Sequence, residues 1–148
     1  MYGTVQEVRQ MLKSDIVNSI IGDEYIADET EREQKLLPLI EHALGDAAAE
    51  VDGYLAKRYP VPLTNAPPVV HKYAKDIAVY NLVSRIGVVD KEREDNYRER
   101  YKFALKFLES VSRGVVDLGL KPPNKQAATG FQMHSPNRIF SRDSMKGM

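Results

Sequence analysis

The chain has 148 residues, of which 43% are hydrophobic and 28% charged, and its formal net charge is zero. This length suffices for one compact domain with extensions, but not for two domains with a cleft between them. The chain contains no cysteine, which excludes disulfides, thiolate nucleophiles and cysteine-ligated zinc, and it has no run of eighteen apolar residues to cross a bilayer. We therefore expect a soluble protein. The first residues lack the pattern of a signal peptide, so we expect it to fold in a cytoplasm.

The N-terminal segment predicts a small lobe of two short helices. Thr4 and Glu7 have the spacing of a capping box, in which the two residues satisfy each other's backbone amides at a helix start. Ser14 allows a second helix to begin, and its apolar residues continue to Gly22, which suits a helix end.

A long helix is predicted next, beginning at a second capping-box pattern that Thr30 opens. Its apolar stripe repeats at three and four residues. The stripe consists of Leu36, Ile40, Ala43, Leu44, Ala47, Val51, Tyr54 and Leu55. Pro38 would either kink this helix or mark its true first turn. Gly45 and Gly53 each cost about 1 kcal/mol of helix propensity, which predicts close packing by another helix. The helix should end near Arg58-Tyr59, before Pro60.

Two further amphipathic helices would complete the core. One runs from Pro68 to a stop at Gly87, and the other opens at Asp90 with opposite charges at four-residue spacing. The short segment from Gly114 to Gly119 would then add a strand pair or clip the bundle. The predicted fold is therefore mainly α, a small bundle of about three long helices with a short N-terminal helical lobe.

The C-terminal arm, residues 121–148, differs in composition from the rest of the chain. It carries five basic residues against one acidic, a net charge of +4, whereas residues 1–120 carry 16 basic and 20 acidic, a net charge of −4. The arm cannot make a core of its own. We therefore expect a helical domain over residues 1–120 and an extended basic arm over residues 121–148, which gains order only by binding another subunit.

Near its end the arm contains apolar anchors among basic residues. This motif is the predicted partner-binding site, made of Arg138, Ile139, Phe140, Arg142 and Met145. Such a peptide would insert its apolar side chains into a partner and become ordered there, while a disordered end is the alternative. The positive charge of the arm could pair with the acidic body of its own or a neighbouring copy, or could contact nucleic acid.

The sequence offers no pattern for catalysis, a metal or a cofactor. His42, His71 and His134 lie in three different segments without a second ligand at metal spacing, and glycine-rich phosphate loops are absent. The numerous carboxylates of the long helix are spread over several faces, which is typical of a solvated or subunit-facing surface. We therefore expect that the protein is not an enzyme and has no metal or cofactor site.

Asp76 interrupts the apolar rhythm of its helix. The pattern favours a structural ion pair with a base such as Arg58 or Arg85 over a catalytic role. The chain also has eight tyrosines, several of which fall on apolar helix faces, where core or interface packing explains them better than base stacking. Since no helix carries a basic recognition face, sequence-specific DNA binding is not expected.

Six segments of the chain carry a resemblance to a known family. They are the opening Met1-Tyr2-Gly3-Thr4, the block AEVDGYLAKRYPVPL from Ala49 to Leu63, the Asp76-Ile77-Ala78 helix, the Tyr97 to Leu108 helix, the Gly114 to Leu120 segment and the closing Arg138-Ile139-Phe140-Ser141-Arg142-Asp143-Ser144-Met145. Together they resemble the Mu-type phage and prophage head-tail connector (adaptor) proteins. The block from Ala49 to Leu63 is the most specific part, the likeness covers nearly the whole chain, and none of the motifs is catalytic.

This resemblance implies a structural virion protein, made in the bacterial host cytoplasm and located in the neck of a tailed phage. Copies of the chain, commonly twelve in such proteins, would form a ring between the portal and the tail. The implied partners are other copies, the portal protein and a tail-side neck or tail terminator protein. Genomic DNA would pass through the lumen without specific recognition. Two alternatives stay open: another neck protein such as a stopper or head-completion protein, and a small non-specific DNA-binding module that uses the arm on phosphates.

Overall fold

Three long helices and two short ones form the part of the chain that the structure describes. The computed structural model describes residues 1–22, 26–86 and 91–120, with the backbone alone for residues 91–93. Within these ranges the helices are α1 Val5–Met11, α2 Ser14–Ile20, α3 Glu29–Leu55, α4 Pro68–Val83 and α5 Lys91–Arg113. The predicted mainly α bundle with a short N-terminal lobe is confirmed. Among the described residues no helix is both long and apolar enough to span a bilayer.

Parts of the expected organisation lie outside the described residues. These are the C-terminal arm, residues 121–148, the proposed helix stop at Gly87 and the helix opening at Asp90.

Helix α4 lies between α3 and α5 and is buried over most of its circumference. It packs against both long helices and also touches α1 and α2, while α3 and α5 meet along part of their length. Its buried residues are Val70, Ala74, Asp76, Ile77, Ala78, Val79 and Leu82. This burial places α4 at the centre of the core, whereas α3 and α5 each bury one stripe and expose a charged face.

The N-terminal lobe is attached to α4 through Glu7. The predicted capping box is confirmed: the Thr4 hydroxyl accepts from the Glu7 amide, and the Glu7 carboxylate accepts from the Thr4 amide at 2.9 Å. Glu7 also accepts from the Lys75 ammonium at 3.0 Å. The hydrogen bond from Lys75, followed by those from Thr4, lowers the pKa of Glu7 to about 2. Val8 and Val17 are fully buried beneath this contact, so the short helices are part of the core.

The start of α3 differs from the sequence-based prediction. The Asp28 carboxylate accepts from the Thr30 amide at 2.9 Å, and the helix begins at Glu29. The prediction that Thr30 caps the helix is therefore wrong, because Asp28, two residues earlier, can also cap. Pro38 lies well inside α3, which rules out the alternative that it marks the first turn. The helix ends at Leu55, three residues before the predicted end near Arg58 and, as predicted, before Pro60.

Tyr2 joins four separate parts of the fold. Its side chain is buried, its hydroxyl donates to the Asp52 carboxylate near the end of α3, and the same hydroxyl accepts from the Leu63 amide at 2.8 Å. The ring meets His71 of α4 edge-on, with 6.4 Å between ring centroids. Burial, together with the hydrogen bond to Asp52, raises the pKa of Tyr2 to about 12. The N-terminus, the end of α3, the following loop and α4 are thus fixed together by one side chain.

We predict that Tyr2→Phe lowers the free energy of unfolding by about 1–3 kcal/mol, since it leaves the Leu63 amide and the Asp52 carboxylate without their partner. Urea denaturation followed by circular dichroism measures this change. Tyr73→Phe is the matched control, because the Tyr73 ring packs on Phe107 and its hydroxyl has no hydrogen bond to another described residue. Equal losses for the two variants would contradict the role assigned to the Tyr2 hydroxyl.

Candidate assembly surfaces

The described residues contain no cluster suited to a metal ion, since nowhere do three or more histidine, aspartate or glutamate side chains converge. His42 is exposed on α3 and lies 3.1 Å from the Asp46 carboxylate, one turn further along. His71 packs against Tyr2, and His134 lies outside the described residues. The histidines whose positions are known therefore have local roles in packing and surface pairing.

Asp76 is buried at the contact between α4 and α5, where its side chain is 2% exposed. It accepts from the Arg100 guanidinium and lies 3.4 Å from the Lys72 ammonium. The predicted structural ion pair is confirmed in kind, but the suggested partners, Arg58 and Arg85, are wrong. The antiparallel pairing of α4 with α5 brings Arg100 beside Asp76, and this long-range pairing is not visible in the local sequence.

Aromatic residues line the contacts that α5 makes with its neighbours. The rings of Tyr80 and Tyr101 stack with centroids 4.3 Å apart, and those of Tyr73 and Phe107 lie 4.7 Å apart. The Tyr101 hydroxyl donates to the Glu50 carboxylate of α3 at 2.9 Å. Burial and this hydrogen bond raise the pKa of Tyr101 to about 12. These tyrosines pack within the bundle, as the apolar spacing predicted.

The segment after α5 is clipped onto the end of α3. The Arg58 guanidinium donates to the Val116 carbonyl at 3.3 Å and lies 3.6 Å from the Asp117 carboxylate. The Leu118 amide donates to the hydroxyl of Tyr59, which is itself buried. The predicted clip is therefore confirmed, and no strand forms in this segment.

This clip fixes the place from which the chain continues beyond the described domain. The described part ends at Leu120, beside an open groove of about 210 Å³ that is also lined by Tyr59, Pro62 and Leu63. The residues predicted to bind a partner all lie outside the described residues. They are Arg138, Ile139, Phe140, Arg142 and Met145. Their partner-binding role stays a prediction.

The outward side of α3 combines small residues with exposed carboxylates such as those of Glu41 and Asp46. A Cβ atom built on Gly45 or Gly53 would meet no described atom within 4 Å. The prediction that another helix packs closely at these glycines is thus wrong within the described chain, where Ala43 and Ala47 are the buried small residues. Helix α3 carries seven acidic residues and two basic ones. Sequence reasoning predicted close helix packing at these small residues without specifying whether the other helix belongs to the same chain.

The outward side of α5 carries an apolar side chain among cations. Phe103 is 63% exposed, and the neighbouring Lys102 and Lys106 are exposed as well. Neither lysine forms an ion pair with another described residue. Over its whole length α5 has seven basic and five acidic residues, so the positive charge of this surface is local to Lys102 and Lys106. Sequence reasoning missed this surface, although an apolar residue outside the buried stripe was its visible signal.

Comparisons of the sequence with family profiles and with known proteins agree on one family. The profile of the family described as Bacteriophage Mu, Gp36 matches residues 2–135. The chain is 32% identical over 111 residues to the Mu-like prophage FluMu protein gp36 of Haemophilus influenzae, covering 73% of this chain and 74% of the relative. It is 30% identical over 105 residues to gene product J of Escherichia phage Mu, covering 69% and 70% respectively. The family profile ends before Arg138, so the predicted partner-binding motif lies beyond it.

We predict that Arg58→Gln increases amide hydrogen exchange over residues 114–120 by about tenfold or more, because glutamine cannot replace the bonds that hold this segment. Exchange within α4 should stay as in the wild-type chain. Arg113→Gln is the matched control, since Arg113 is exposed and pairs only with Glu109 on the surface of its own helix. Unchanged exchange in Arg58→Gln would show that the guanidinium does not hold the clip.

Proposed function

We propose a function from one premise: this chain belongs to the Bacteriophage Mu Gp36 family. It is a Mu-type phage protein. We propose that it is a structural virion protein, a head-tail connector (adaptor) subunit in the neck of a tailed phage. Twelve copies of the chain form a ring between the portal and the tail.

The observation that supports this proposal most strongly is the division of charge between body and arm. Residues 1–120 carry a net charge of −4 and the arm carries +4. A ring is built from head-to-tail contacts that repeat by rotation, so each copy must present two different and complementary surfaces. Opposite charges on the body and the arm of one chain provide such surfaces and favour one docking orientation.

The clip on α3 gives the arm a defined starting point. Because Arg58 and Tyr59 hold the segment up to Leu118, the arm leaves every copy at the same place on the domain. An arm that starts from a fixed point reaches a neighbouring subunit at a higher effective concentration than a freely diffusing peptide would. Ile139, Phe140 and Met145 are the proposed apolar anchors, with Arg138 and Arg142 beside them.

The proposed partners follow from this position. Each copy contacts other copies, the portal protein, and a tail-side neck or tail terminator protein, while genomic DNA passes through the lumen without specific recognition. The role proposed for the chain is structural, with no catalytic step, metal or cofactor. A stopper or head-completion protein would also lie in the neck, but at a different level.

The basic arm also favours a second candidate, a small non-specific DNA-binding module. Five cations on phosphates would give duplex binding that weakens steeply as salt increases. A connector whose arm is engaged with protein should bind duplex DNA weakly at all salt concentrations. A filter-binding titration of the full chain at several salt concentrations distinguishes the two candidates.

We predict that deleting this gene from an inducible phage yields filled heads and separate tails, and that supplying the full chain in trans restores joined particles. A chain truncated after Leu120 should fold, with a wild-type helical signal by circular dichroism. It should nevertheless restore no joined particles. Mass photometry then shows whether the truncated chain has also lost assembly. Normal joining by the truncated chain would remove the role of the arm, and joined particles without the gene would refute the connector function itself.

We further predict that Phe140→Ala reduces the yield of joined particles more than Lys125→Ala does. A buried aromatic anchor contributes up to several kcal/mol to an interface, whereas a solvated charge contributes about 0–1 kcal/mol. Both substitutions lie in the arm, so the second is the matched control for the first. Similar yields for the two variants would argue against an anchoring motif.

A further inference from the structure

We propose that the outward side of α5 in one copy docks on the outward side of α3 in the next copy. The α5 face is defined by Lys102, Phe103 and Lys106, and the α3 face by Glu41, Gly45, Ala49 and Gly53. This inference rests on the proposed ring and names the contact between copies that would build its wall.

The α3 face has the shape of a shallow seat. Glu41, Gly45, Ala49 and Gly53 recur at four-residue spacing and so lie in a row on one side of the helix. The row has no side chain larger than a methyl group from Gly45 to Gly53, and a Cβ at either glycine would meet open space. Glycine is unfavourable within a helix, and neither half-buried Gly45 nor exposed Gly53 is required by a close neighbour in the described chain.

The α5 face has a matching protrusion. Phe103 is 63% exposed, whereas Phe107, one turn later, packs on Tyr73 of α4. The α4–α5 contact therefore leaves Phe103 outside. A single exposed apolar residue needs no explanation. A phenylalanine flanked by lysines, however, fits the α3 face. In the proposed contact the Phe103 ring lies on Gly45 and Gly53, and the neighbouring lysines reach Glu41.

Charge determines which pairing of these faces is favourable. On the two proposed faces, Glu41 of α3 is exposed, and so are Lys102 and Lys106 of α5. Glu41, Lys102 and Lys106 have no ion pair with another described residue. Contact between two α3 faces or between two α5 faces would bring like charges together, whereas α3 against α5 brings opposite charges together. Only the second pairing is head-to-tail and can close a ring.

The two faces cannot satisfy each other within one copy. The buried stripes of α3 and α5 both face the core that they share with α4, so the exposed sides point away from it. The acidic seat of α3 would also accept the basic arm of a neighbour, with Phe140 in place of Phe103. We assign the seat to α5, and the experiment below separates the two occupants.

The test uses the absence of cysteine from the chain. The full-length double variant Ala49→Cys with Lys106→Cys is supplied in trans to the deletion phage, and purified particles are oxidised and separated on a denaturing gel. A head-to-tail contact gives a ladder of dimers, trimers and larger species. Each single variant gives no species larger than a dimer. A double variant that stays monomeric, or gives dimers alone, would overturn the proposal.

A second pair of variants tests the seat without any cross-link. In Gly45→Gln the new side chain meets open space, and glutamine favours a helix more than glycine does. The melting temperature of the isolated chain should therefore stay equal or rise. The yield of joined particles should fall by about tenfold or more. Phe103→Ala should cause a similar loss. Val115→Ala is its matched control, because Val115 is 77% exposed but lies beyond α5.

The outcomes separate this inference from the proposed function. If the wild-type chain does not join heads to tails, both fail. If it does, and Gly45→Gln and Phe103→Ala join them equally well, the α3–α5 contact alone is wrong. If Gly45→Gln is defective while Phe103→Ala is normal and the cysteine pair gives no ladder, another occupant such as the arm fills the seat, and the assignment to α5 is overturned.

Discussion

The burial of α4 is the constraint on which the rest of the fold depends. Because this helix is buried on most sides, α3 and α5 both turn their apolar stripes toward it, and their charged sides then point outward. Asp76 is the one charged residue buried among the described residues, and Arg100 and Lys72 neutralise it at the α4–α5 contact. A domain of this size thereby presents two long helical surfaces of different charge.

Two further sets of contacts involve the end of α3 and the loop that follows it. Tyr2 fixes the N-terminus to Asp52 and Leu63, and Arg58 with Tyr59 fixes the segment that follows α5. All four of these partner residues fall in the block from Ala49 to Leu63, the most specific part of the family resemblance. Its polar residues thus have identifiable structural roles: they hold both ends of the described chain to one end of the bundle.

The sequence was sufficient to predict the helices, because each buried stripe repeats at the helical period and the capping box at Thr4 uses only neighbouring residues. It was insufficient where distant segments decide the outcome. The partner of Asp76 depends on how α4 pairs with α5, and Gly45 can signal close packing without showing whether the packed helix belongs to the same chain. Asp28 and Thr30 can both cap a helix, so local chemistry alone did not choose between them. The predicted partner-binding motif in the arm lies outside the described residues.

We propose that the chain is one copy of a ring whose wall repeats a single α3–α5 contact and whose arms engage neighbouring subunits. Electron cryomicroscopy of the neck in purified particles, at a resolution that separates helices, tests this most directly. We expect a closed ring between portal and tail, in which α5 of each copy lies against α3 of the next copy and residues 138–145 bind another subunit. Absence of the chain from the neck, or a ring in which α3 faces solvent, would contradict it.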